Sequence, residues 1–111
     1  MEQPVSLRAV IFKSGEWWVG QVLEHDIAAQ AKTPKDVSYQ LERAIVGHIV
    51  IAEENGFEPF RTVPSAPQRY WKMFEEGLTI VTPEAHEFTV HGRPRPPAPM
   101  PELRVSEPTP A

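Results

Sequence analysis

Residues 33–57, TPKDVSYQLERAIVGHIVIAEENGF, decide the fold class. Thr33 has a side-chain oxygen that can accept an orphan N–H at a helix start. Pro34 has its φ preset for the first helical position, and Asp36 places a carboxylate against the positive end of the helix dipole. Val37, Leu41, Ala44, Ile45, His48 and Ala52 then recur at spacings of three and four, which puts them on one face. Asn55-Gly56 ends the run, because glycine readily takes the left-handed conformation that closes a helix, and Phe57 stands where a closing hydrophobic contact is common. The pattern predicts one amphipathic helix over residues 34–54.

The second half of that helix is apolar all round. Residues 44–52, AIVGHIVIA, carry no Asp, Glu, Lys or Arg, whereas a surface helix shows a polar stripe. Val46, Ile49 and Val50 lie largely off the face just described. Two readings stay open: burial under the segment 57–76, or a subunit interface.

Upstream, the periodicity changes from helical to alternating. Residues 5–13, VSLRAVIFK, place Val5, Leu7, Ala9 and Ile11 on one side, as a half-buried strand does. Lys13-Ser14-Gly15-Glu16 reads as a tight turn. Residues 17–24, WWVGQVLE, read as the second strand of a hairpin, with Trp17, Val19 and Leu23 on one face and Trp18, Gly20 and Val22 on the other. Residues 27–32, IAAQAK, form a third, weaker strand, and the short link Glu24-His25-Asp26 suits an antiparallel return. The expected architecture is α+β: an antiparallel sheet with one main helix packed on it.

Downstream, residues 57–66 are extended and interrupted by proline. Residues 67–76, PQRYWKMFEE, predict a second short helix ending at Gly77, and 78–82 and 86–91 each suit a short strand. From Arg93 the composition changes, with prolines at 94, 96, 97, 99, 101, 108 and 110. Such a stretch makes neither a helix nor a central strand, so Glu102-Leu103-Arg104-Val105 is expected to pair only at an edge. The division expected is a domain over residues 1–92 and a Pro-rich C-terminal tail over 93–111.

Composition narrows the function. The 111 residues suit one domain. With no cysteine, a disulfide framework, a thiolate zinc site and a cysteine nucleophile are excluded, and a cytoplasmic location is expected. The opening MEQPVSLRA has no signal-peptide pattern, and no apolar run is long enough to cross a membrane. A net charge of −4 is a poor match for phosphates, so nucleic acid is not an expected partner for this chain alone.

Glu24-His25-Asp26 is the cluster most like a metal or acid–base site, and it underlies an alternative reading as a small metal-dependent hydrolase. Successive strand residues point to opposite faces, however, so a polar turn is the preferred reading and neither a metal nor a cofactor is expected. His48 suits a core or interface position, and His86 and His91 are five apart on opposite strand faces. No phosphate loop, nucleophile elbow or HExxH pattern is present. The aromatics carry the stronger signal. Trp17 and Trp18 are adjacent, so one faces the core and the other needs separate cover. Trp17, Trp18, Tyr70 and Trp71, with Val46, Ile49 and Val50, are the candidates for a partner or oligomer interface.

The hairpin LRAVIFKSGEWWVGQVLE, the small-residue strand IAAQAKT and the helix opening TPKDVSYQLERAI resemble the HicB-like antitoxin family over residues 5–55. The exit FEPFRTVPSAP is also similar to the segment after the helix in that family. The resemblance implies a partial RNase H-like β-β-β-α-β core, a homo-oligomer (dimer or higher), and capture of a small toxin ribonuclease without catalysis. Members of that family often carry a C-terminal DNA-binding part. This chain ends in proline-rich sequence instead, so operator binding is not implied. Leu23-Glu24-His25-Asp26-Ile27 also replaces the family's usual Pro-Gly-rich stretch. A binding protein of the same fold with an unrelated partner is the other reading.

Overall fold

A computed structural model describes residues 7–77, 79–82, 86–95, 98 and 100–106. Val5, Ser6, Leu78 and prolines 96, 97, 99, 108 and 110, which enter the expectations above, lie outside the described residues. Helix α1 runs from Pro34 to Asn55 without a break at Gly47. Both ends close as the sequence predicts. Thr33 Oγ1 accepts the Asp36 N–H at 3.1 Å, Gly56 takes φ 70°, and the Phe57 N–H returns to the Ala52 carbonyl at 3.0 Å.

Strands β1 (Arg8–Ser14), β2 (Trp17–Val22) and β3 (Ala28–Ala31) make the expected antiparallel meander. After α1 come α2 (Gln68–Glu76), β4 (Thr79–Val81), β5 (Thr89–Val90), β6 (Arg93–Pro94) and β7 (Glu102–Ser106). Five strands form one sheet in the order β3-β2-β1-β7-β4. The expectation of a wholly antiparallel sheet is corrected: β7 runs parallel to β1, so the sheet is mixed. The edge position expected for residues 102–105 is corrected too, because β7 lies between β1 and β4. The run Glu102–Ser106 contains no proline, so its N–H groups can serve a neighbour on each side, and Leu103 alternates with Arg104 to face the core. The strand expected over 86–91 shrinks to β5, which turns back through His91 and Gly92 into β6. Both turn residues have positive φ, as the primed hairpin turns require.

The two helices cover opposite faces of the sheet. Ala9, Ile11, Val22 and Leu103 meet Val37, Leu41 and Ile45 of α1 in the main core. Val10, one residue out of phase, joins Leu23 and Phe74 of α2, with Phe12, Tyr70, Trp71 and Met73 around them. Each fully buried Leu or Ile here contributes ~1.5–3 kcal/mol relative to exposure. The contact of α1 with β2 is close. A Cβ placed on Gly20 would lie 2.6 Å from Leu41 Cδ1 and 2.6 Å from Val37 Cγ1, so glycine is what lets helix and strand approach.

The apolar half of α1 is covered from two sides, and α2, which lies across the sheet from it, supplies neither cover. Phe60, from the segment after the helix, is buried and its ring lies 5.9 Å from that of His48. On the other flank, residues 86–95 run alongside α1 as a strap. His86 meets Glu42, His91 meets Glu54, and Arg95 meets Glu53. Val46 is buried, Ile49 packs on the core, and Val50 shares an open groove with Val90 of the strap.

Candidate functional site

The sheet's α2-side face is only half covered. Helix α2 packs against β1 and β7, which among the described residues leaves the β2–β3 end bare. Alternation places Trp17 and Val19 of β2 and Ala28 and Gln30 of β3 on that bare face, and Val19, Ala28 and Gln30, with Ala29, line a shallow concavity of about 260 Å³. Trp17 is 39% exposed. The Lys32 ammonium sits 3.8 Å from its ring centroid, a cation–π contact, and 3.1 Å from Glu16 Oε2. Trp18 points the other way and packs on the main core. Its ring has the Lys13 ammonium 5.9 Å away.

Tyr70 and Trp71 fasten α2. Tyr70 stacks on Phe12 with ring centroids 5.8 Å apart. Trp71 Nε1 donates to Ser65 Oγ and the Ala66 carbonyl, both at 3.2 Å, and the Arg8 guanidinium lies 4.7 Å from its ring. Of the seven aromatic and aliphatic candidates, Trp17 alone counts as an exposed side chain. The structure does not bring the seven into one patch: Val46, Ile49 and Val50 lie on α1, whereas Tyr70 and Trp71 lie across the sheet from it.

Glu24, His25 and Asp26 diverge. Glu24 accepts from the Arg8 backbone N–H and Nε, each at 2.7 Å. His25 stacks on Phe60 at 4.7 Å and lies 3.3 Å from the Val63 carbonyl through Nδ1. Asp26 Oδ1 accepts from Gln21 Nε2 at 2.8 Å. Among the described residues, no three His, Asp or Glu side chains come together as a metal site, and no helix is long and apolar enough to cross a membrane.

The polar feature that sequence reasoning missed is Glu42. Its side chain is wholly buried, and both oxygens are engaged by one residue 44 positions away. The His86 backbone N–H donates to Oε2 at 2.8 Å, and His86 Nδ1 lies 2.7 Å from Oε1. Tyr39 meets the His86 ring edge-on at 5.0 Å and stacks on Phe88 at 5.8 Å. The imidazole lines a pocket of about 300 Å³ with Pro34, Lys35, Ser38, Val81 and Thr82. A carboxylate that fixes an imidazole beside hydroxyl groups is an arrangement able to move a proton. A local signal was present: Glu42 is one helical turn before Val46, in a helix whose second half demands cover on more than one flank.

Farther along the strap, Arg95 donates to Glu53 at 2.7 and 3.0 Å. Those hydrogen bonds hold the Glu53 carboxyl below the ordinary glutamate range and raise the Arg95 guanidinium.

No family model, curated protein or solved structure matches this chain.

Proposed function

We propose that this chain is a non-catalytic protein-binding module of the HicB antitoxin kind, which holds a small toxin ribonuclease through the bare half of its sheet. The observation that carries the reading is Trp17, exposed on the same sheet face as the shallow concavity of Val19, Ala28 and Gln30, which α2 leaves uncovered. Rigid aromatics of this sort dominate binding energy in protein interfaces. The chain order supports the fold half of the reading. Three antiparallel strands, a long helix and a strand returning parallel beside β1 follow a β-β-β-α-β course, with α2 and β4–β6 inserted before the last strand. The polar residues of the Glu24-His25-Asp26 turn serve internal contacts, which fits binding better than hydrolysis.

Capture by wild-type protein and by a Trp17→Ala variant of equal stability tests this. The bait meets the product of any gene of roughly toxin size beside its own, within the usual range for a small domain. Retention by wild type and loss by the variant is the expected result. Turnover of ester or phosphodiester substrates that disappears in His86→Ala under conditions where the variant remains folded would replace the reading with a hydrolase centred on the Glu42–His86 pair.

A further inference from the structure

We propose that the outer edge of β3, which pairs with no other strand among the described residues, pairs with the same edge of a second copy of this chain, antiparallel about a two-fold axis at Ala29. The inference stands apart from the toxin-binding reading. Main-chain groups of a strand alternate between its two neighbours. The Val22 N–H donates to the Ile27 carbonyl at 2.8 Å, and the β2–β3 register pairs Gly20 with Ala29 and Trp18 with Ala31. Residues 27, 29 and 31 therefore turn their main chain toward β2. Ala28 and Gln30 turn theirs outward at the sheet edge, and both are exposed.

Antiparallel pairing joins outward residues to outward residues. With Ala29 on the axis, Ala28 faces Gln30 of the second copy and Gln30 faces its Ala28. No charge, proline or bulge interrupts this short edge, the devices by which edges are usually blocked. The same register sets Asp26 opposite Lys32 of the second copy at both ends, a self-complementary charge pattern. The Asp26 N–H is already taken by the Pro64 carbonyl at 2.6 Å, so main-chain pairing stops at Ala28 and Asp26 contributes its carboxylate. Lys32 keeps donors beyond its Glu16 contact, since an ammonium has three.

A second feature faces the same way. Gln40, Ala44, Gly47 and Ile51 are spaced four, three and four along α1, the seam of a helix pair. Ile51 is 57% exposed, and a Cβ on Gly47 would meet nothing within 4 Å. The strap and Val81 of β4 occupy the opposite flank of α1, and α1 lies over β2 and β3, so this seam looks toward the β3 edge. A two-fold axis perpendicular to the sheet sets the two α1 helices side by side on one face. One symmetry operation thus covers both features.

Sedimentation of the purified full chain at micromolar concentration tests the proposal, with no other protein present. Wild type is expected at twice the chain mass. Gln30→Pro removes an outward donor while the β2 ladder keeps its bonds, so a folded species at the single-chain mass is expected, whereas Gln30→Ala stays double. Asp26→Lys should weaken the dimer and Asp26→Lys combined with Lys32→Asp should restore it, which decides the matter if the proline variant fails to fold. A monomeric wild type, or a dimer indifferent to the charge reversal, overturns the proposal without touching toxin binding.

Discussion

Replacing His86 with alanine strands a carboxylate in the core. Glu42 is wholly buried, and the His86 side chain supplies one of its two contacts. Removing one member of a buried pair costs about 3–5 kcal/mol, because the remaining charge has neither partner nor water. His86 is itself 39% exposed, so water can follow the vacated ring toward Oε1, and the backbone N–H still holds Oε2. The expected loss is therefore smaller, roughly 1.5–3 kcal/mol. In a domain of this size each kcal/mol moves the melting temperature by ~4–8 °C, so a fall of roughly 6–24 °C is expected. Glu42→Leu combined with His86→Leu removes the charge together with its partner and should recover most of the stability, since apolar replacement of a buried pair is often neutral. Urea unfolding of the two variants and wild type measures this directly. A His86→Ala loss below about 0.5 kcal/mol, the usual scatter of surface changes, would refute the reasoning, because it would mean that Glu42 is solvated in the folded protein.

Gly20→Ala should destabilise by ~1–3 kcal/mol through overpacking against Val37 and Leu41, read as a lower urea midpoint at unchanged slope. Trp17→Ala should leave the melting temperature nearly unchanged, while Trp18→Ala, which opens the main core, lowers it clearly; equal effects would mean the two faces are misassigned. The Glu53 carboxyl is depressed in the folded state, so its link to Arg95 contributes fully above the ordinary glutamate range. The link is lost as pH falls through the depressed value. Protection of residues 88–95 against hydrogen exchange, taken relative to intrinsic rates, should fall on acidification in wild type, whereas in Glu53→Gln, which has already lost that ion pair, it should be low from the start and free of that pH step.

The helix and the hairpin were legible because their signals are local. A cap, a 3.6-residue period and a glycine stop lie within residues 33–57, and the alternation over 8–22 lies on either side of one turn. Trp17 and Trp18 divided between the two sheet faces as alternation demands. What the sequence did not show are contacts between distant segments. Strand β7 has five residues among prolines, and nothing local distinguishes an edge position from an interior one; its neighbours β1 and β4 settle that. The Glu42–His86 pair spans 44 positions, and no period links them. The charge-free stretch 44–52 did announce that cover was needed. It could not say that the cover would be Phe60 on one side and the strap on the other.

The most direct test of toxin binding through the bare sheet face is ribonuclease inhibition. RNA cleavage by the captured small protein is followed while this chain is titrated in. Suppression should be complete at a fixed stoichiometry, and Trp17→Ala, folded and equally stable, should need a large excess to reach it. Cleavage that continues at saturation, or suppression by Trp17→Ala equal to that of wild type, would contradict binding at this face.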